Sequence, residues 1–192
     1  AYQATTDKPT VINMTNHSYF NLSGNPANSI LDHILYVNAQ YFTPVGRTLI
    51  PTGQMAPVAG TPMDFTVPEA IGKDIDSTGH EQISFGNGFD HNWVLDTRGD
   101  RNVVAATLIS PVSGIKLDVY TGEPGLQVYS GNFLDGTVTG KKGIVYQKRA
   151  AVCLETQHYP DSPNRSEWPS TALRPGETYT SHCTYKFSTI TN

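Results

Sequence analysis

Apolar and polar side chains alternate along much of this chain, while helical spacing is nearly absent. A period of two marks strands with one buried face. Leu35 and Val37 alternate with Ile34, Tyr36 and Asn38. Val103 to Ile109 is an apolar, β-branched run. It is followed by Pro111-Val112-Ser113-Gly114, and then by Ile115, Leu117 and Val119 with polar or aromatic residues between them. That order predicts a β-hairpin. Gly125 to Gly131 and Ala150 to Gln157 read as two further strands. Tyr179 to Ile190 reads as a last one, with Tyr179, Cys183, Tyr185 and Phe187 on one face. Pro68 to Gly72 reads as a single helical turn.

Thirteen prolines and seventeen glycines punctuate these runs. The stretch from Phe42 to Ile75 carries five prolines and little alternation, so an extended surface excursion, of the kind that forms binding loops, is expected there. Pro160 to Pro169 reads as a second loop. With no repeat, linker or low-complexity tract, the pattern predicts an all-β chain, residues 1–192 forming a single domain of β-sandwich type. A hydrophobic share of 38% can supply its core. The net charge of −4 argues against nucleic acid as a partner, and no apolar run approaches the length of a membrane span. Cys153 and Cys183 read as two buried thiols on strands rather than a disulfide.

Several chemistries find no frame in this sequence. None of the six histidines sits in a metal-ligand motif, so no metal is expected. A phosphate loop and a nucleophile elbow are also missing. What remains is acid–base chemistry. If Val11 to His17 is extended, Asn13, Thr15 and His17 share a polar face and Ile12 and Met14 an apolar one. That suits the wall of a pocket, or a solvent-facing strand end. Glu155 is the only charge in Ala150 to Gln157, and its neighbours predict partial desolvation, which raises a carboxyl toward the range of a general base. Gly86 to Trp93 brings Asp90, His91 and Trp93 onto a glycine-rich turn entering a strand. An acid and an aromatic there suit a sugar: carboxylates bind hydroxyls and aromatic rings stack on C–H faces. Gln127 and Tyr129 share a face of their strand.

Four segments carry a resemblance. Asp7-Lys8-Pro9-Thr10 leads into Thr15-Asn16-His17-Ser18-Tyr19-Phe20-Asn21-Leu22. Phe89-Asp90-His91-Asn92-Trp93 and Pro124-Gly125-Leu126-Gln127-Val128-Tyr129 follow. The last is Leu154-Glu155-Thr156-Gln157, with Pro160-Asp161-Ser162-Pro163-Asn164 behind it. In order and spacing they resemble the aldose 1-epimerase (galactose mutarotase) family, over nearly the whole chain. The resemblance implies a large antiparallel β-sandwich, the galactose mutarotase-like supersandwich. It implies catalytic roles for His17 as general acid and Glu155 as general base, and substrate contacts from Asp90, Gln127 and Tyr19. It implies no metal and no organic cofactor. The implied reaction interconverts the α and β anomers of free hexoses such as glucose and galactose by ring opening and closure.

A family chain begins well before this one, and its earlier portion supplies strands that nothing here matches. The N-terminal strands of the sandwich are therefore expected to be missing, and a complementary N-terminal polypeptide is the expected partner beside a small-molecule aldose. No targeting signal is evident, and the cytoplasm is the expected compartment. Three alternatives use the same residues differently. One is a glycoside hydrolase with Asp90 and Glu155 as its carboxylate pair. Another is a non-catalytic carbohydrate-binding domain of the same fold. The third, a hexose-6-phosphate epimerase, needs a basic phosphate site, but Lys141, Lys142, Lys148 and Arg149 read as a solvated hairpin tip.

Overall fold

The computed structural model describes residues 1–190. Strands β1 (Tyr2–Ala4), β2 (Thr10–Val11), β3 (Tyr19–Phe20) and β4 (Ile34–Val37) open the chain. Next come β5 (Tyr41–Thr43), β6 (Ala56–Pro57), β7 (Glu69–Ala70) and a short helix, α1 (Glu81–Gly86). The middle holds β8 (Asp90–Val94), β9 (Ala106–Ile109), β10 (Ile115–Thr121) and β11 (Gly125–Tyr129). β12 (Val152–Gln157), β13 (Ala172–Leu173), β14 (Tyr179–Ser181) and β15 (Cys183–Thr189) end it.

Two sheets dominate, one of five strands in the order β15-β10-β9-β4-β7 and one of six in the order β3-β12-β11-β8-β5-β6. Two small ribbons, β1 with β14 and β2 with β13, flank them. The pairings are antiparallel. Leu35, Val37, Leu108, Leu117 and Val119 of the first sheet share one apolar cluster with Phe42, Trp93, Leu126, Val128, Val152 and Leu154 of the second. The two inner faces thus pack on each other as a sandwich. Tyr185 ties the sheets by donating its hydroxyl to the Leu154 carbonyl at 2.6 Å.

The alternating runs become strands, the hairpin β9–β10 among them. Three expectations need correction. Pro68 to Gly72 is no helical turn, because Glu69 and Ala70 pair with Leu35 and Ile34 at the sheet edge. The Phe42 to Ile75 stretch is no surface excursion: Val58, Met63, Phe65, Ile71 and Ile75 are all buried. Its prolines break the regular period, so single apolar residues enter the core without forming a visible pattern. Tyr179 to Ile190 is two strands. The chain changes sheets at His182, β14 pairing with β1 and β15 with β10.

α1 was not legible either. Six residues hold under two turns, too few to show a period. The helix ends at Asn87, whose left-handed backbone (φ 53°) returns its N–H to the Ile83 carbonyl. Buried Gln82 fixes it in place, accepting from Val45 N–H at 2.8 Å and donating to the Val45 carbonyl at 2.9 Å. The turn after it delivers the chain into β8.

Candidate active site

Period-two alternation puts the core residues Leu126, Val128, Val152 and Leu154 on one face of the six-stranded sheet, and Gln127, Tyr129, Cys153, Glu155 and Gln157 on the other. The register brings this outer set together. Gln127 lies opposite Glu155 and Asn92, and Tyr129 opposite Cys153 and Asp90. Above this floor is an open cavity of about 420 Å³. All five residues singled out from the sequence line it: His17, Tyr19, Asp90, Gln127 and Glu155.

His17 does not sit on a strand. The expected extension of Val11 to His17 stops after β2, and residues 12–18 run irregularly to β3. Side chains hold this segment in place of a ladder. Asn13 donates its amide to the His158 carbonyl at 2.9 Å and accepts from the His158 N–H at 3.0 Å. Asn16 accepts from the Ser18 N–H at 3.0 Å, a turn made by a side chain. Cys153 pairs with Tyr19, and continuing that register by two residues sets His17 opposite Glu155. His17 Nε2 is 3.3 Å from Glu155 Oε1, and its Nδ1 is 3.4 Å from Cys153 Sγ. The Tyr19 and Tyr129 rings flank the imidazole, with centroids 5.0 and 6.1 Å away.

The two partners differ in exposure: the His17 side chain is 51% exposed and that of Glu155 only 9%. Burial raises the Glu155 carboxyl above the ordinary glutamate range. His17 opposes that rise, and the negative charge of Asp90 adds to it. Burial also raises Asp90, against the amide of Gln127 and the charge of His17. Asp90 belongs to a chain of polar groups along the floor. Gln127 Nε2 donates to Asp90 Oδ1 at 2.8 Å, and Gln157 Nε2 reaches Gln127 Oε1 and Asn92 Oδ1, each at 3.3 Å. These amides fix the directions in which the floor offers hydrogen bonds to a ligand.

Two residues of the Asp90 segment lie elsewhere. Trp93 is fully buried in the sandwich core and donates its indole N–H to the Met63 carbonyl at 3.0 Å. It cannot stack on a ligand in this cavity. His91 also faces the core, accepting the Asp90 N–H at 3.1 Å, and burial pushes its imidazole down to about 3. The alternation that sends Asp90 outward sends both of them inward. The aromatic surface of the cavity comes from Tyr19, Tyr129 and Phe133. Phe133 is 58% exposed, and its ring stacks on Tyr129 at 6.2 Å and 17°.

Tyr129 lines the cavity beside Gln127, on the strand face the two were expected to share. Phe133, Gln157 and Pro160 also line it without having been singled out, although Gln157 was within reach, two residues from Glu155 on its strand. Phe133 carried no signal, because it follows the strand in a loop. The basic run is solvated as expected, except at Arg149. Lys141 and Lys142 lie at a hairpin tip, within the bridge from Thr139 to Val145. Arg149 is buried, its guanidinium gripping Asp76 at 2.9 and 2.7 Å. Among the described residues, no lysine or arginine lines the cavity.

The profile of the family described as aldose 1-epimerase matches residues 1–186. The chain is 46% identical over 187 residues to the galactose mutarotase of Homo sapiens, a match that covers 97% of this chain and 53% of that protein. Aldose 1-epimerase of Escherichia coli K12 is 40% identical over 188 residues, with the same coverage. The chain thus spans about half the length of these curated relatives. Among solved structures, galactose 1-epimerase from Lactobacillus acidophilus superposes with a TM-score of 0.81 at 33% identity, over 97% of this chain and 52% of that one. The GalM/aldose epimerase homologue from C. elegans gives 0.83 at 30% identity, over 98% and 55%.

Proposed function

The chain belongs to the aldose 1-epimerase family, and from that premise we propose that it supplies the acid–base pair of a mutarotase acting on free aldohexoses such as glucose and galactose. One observation carries this reading: His17 Nε2 and Glu155 Oε1 lie 3.3 Å apart at the bottom of a sugar-sized cavity. A hemiacetal bears both of its reacting oxygens on one carbon. The groups that take a proton from the hydroxyl and give one to the ring oxygen must therefore be close neighbours. Hydrolysis instead uses two carboxyls about 5–9.5 Å apart on either side of a glycosidic bond.

In this reading the Glu155 carboxylate accepts the anomeric hydroxyl proton while protonated His17 gives its proton to the ring oxygen. The C1–O5 bond breaks and the open-chain aldehyde forms. Rotation about C1–C2 presents the other carbonyl face. The ring oxygen then attacks, returning its proton to His17, and Glu155 returns its own to the new anomeric hydroxyl. Each positioned proton transfer contributes about 10² to 10⁴ in rate. A raised carboxyl suits Glu155 to be the base. Asp90, steadied by Gln127, would accept from sugar hydroxyls, and Tyr19 would bound the ring. The cytoplasm is the compartment we favour, in keeping with two free thiols at Cys153 and Cys183.

The reading includes a complementary polypeptide that covers the open side. His17, Tyr19 and Phe133 are all at least half exposed in a cavity meant to enclose a sugar. Exchange between the α and β anomers of galactose, followed by NMR saturation transfer, tests the reading. The assay would use the chain alone and the chain co-expressed with the N-terminal half of a matched galactose mutarotase. Faster exchange, with no release of nitrophenol from a nitrophenyl galactoside, is expected. Nitrophenol release, or no acceleration in either preparation, would overturn it.

A further inference from the structure

A third group with its own chemistry touches the acid–base pair, and the reaction has no use for it. Cys153 sits two residues before Glu155 on the same face of β12, its Sγ 3.4 Å from His17 Nδ1. One donor atom from each of His17, Cys153 and Glu155 can be chosen so that all lie within 4.8 Å of one another. No local pattern hints at this, because two ligands come from one strand and the third from a segment 136 residues away.

We propose that His17, Cys153 and Glu155 form a binding site for a thiophilic divalent cation of the zinc type, which occupies the sugar site and inhibits turnover. Thiolate and imidazole donors favour such a metal over magnesium or calcium. Zinc bonds of about 2.0 to 2.3 Å place donors roughly 3.3 to 3.8 Å apart, so the trio must close by about 1 Å. The member free to move is His17. It lies off the strand, half exposed, and a turn of its ring brings a single nitrogen to the metal. Three protein ligands leave a fourth position facing the open cavity, for water or an exchangeable group. The electrostatics agree. Two carboxylates, Glu155 and Asp90, face this cavity, and no lysine or arginine among the described residues lines it. On binding, the Cys153 S–H bond breaks, sulfur bonds to the metal, and the proton leaves to solvent.

The inhibition rests on the proposed mutarotase reading, but the binding does not, so the test reads binding first. The purified chain is titrated with Co²⁺, which reports thiolate ligation by a charge-transfer band in the near ultraviolet. One Co²⁺ per chain, with that band, is expected. Cys153→Ser should abolish the band, and His17→Asn should weaken binding at least tenfold. The His17 variant alters a half-exposed side chain, so it guards against misfolding of the first. Saturating galactose should weaken Co²⁺ binding, and Zn²⁺ should slow mutarotation until a chelator is added. A missing band would overturn the site, as would one that survives Cys153→Ser and so belongs to Cys183. Full affinity in His17→Asn would do the same. If neither the chain alone nor the chain with its complement shows mutarotation, the function reading fails while the cobalt spectrum still decides the site.

Discussion

Glu155 carries a cost that can be measured apart from any activity. Burial raises its carboxyl, with Asp90 adding to the rise and His17 only partly opposing it. As pH rises, the unfolded chain therefore gives up this proton before the folded chain does. The stability Glu155 contributes is complete below the ordinary glutamate range, near 4.3, and is lost as pH rises through the higher folded value. Glu155→Gln keeps the shape and removes the charge, so the variant should melt at a higher temperature than the wild type at pH 7. Its advantage should shrink at pH 4. Thermal melts at the two values check this, and an equal gap at both would remove the claim that Glu155 is strained by desolvation. His17 bears on the same balance from the opposite side, half in water and held by no strand.

Among the elements, β8 shows how one register sorts chemistry from packing. Asp90 and Asn92 point to the cavity floor, while His91 and Trp93 point to the core. Trp93→Phe should cost about 1–3 kcal/mol, because it leaves the buried Met63 carbonyl without its partner. It should leave the affinity for sugar unchanged. Urea unfolding and a binding titration check the pair, and weakened sugar binding at full stability would return Trp93 to the site. Gly125 in β11 plays a quieter part. A Cβ there would crowd the Asn92 amide and lie 2.9 Å from the Tyr159 ring, so glycine lets the floor close under Gln157.

The same elements show what can be read from sequence. Strands with alternating faces were legible, and period two carried Gln127 and Glu155 to the correct face. α1 was too short to show a period. The buried residues between Phe42 and Ile75 enter the core one at a time between prolines. Trp93 looked like a sugar-stacking surface, and Arg149 like part of a solvated tip, because residue type was read without the face. The Cys153 contact with His17 needed the register of β3 on β12, which no local pattern contains.

At the scale of the molecule, the sandwich is open along one side. The inward face of β15 carries Cys183, Tyr185 and Phe187, and Phe187 is 56% exposed. Phe187 lies 6.3 Å from the Phe20 ring of β3, and the seven residues of β15 form an edge of the five-stranded sheet. An edge of this length leaves a row of backbone N–H and C=O groups open to another strand. Near the candidate site, Tyr19, Leu134, Val138, Tyr146 and Ala151 border a second, mainly apolar hollow of about 640 Å³. These surfaces fit the complementary polypeptide of the proposed function. With the N-terminal half of a matched relative present, hydrogen exchange should slow in β15 and around residues 130–149. Unchanged exchange in both would leave the partner without a footprint.

The central claim is that His17 and Glu155 work as one acid–base unit. The most direct test is polarimetry on freshly dissolved α-D-galactose with the wild type, His17→Asn, Glu155→Gln and the double variant. The preparation is whichever turns over, the chain alone or with its complement. Each single variant should lose about 10²- to 10⁴-fold in rate, and the double variant should lose little more than either, since groups acting in one step do not add. A single variant that keeps the wild-type rate, or losses that multiply in the double, would contradict the account.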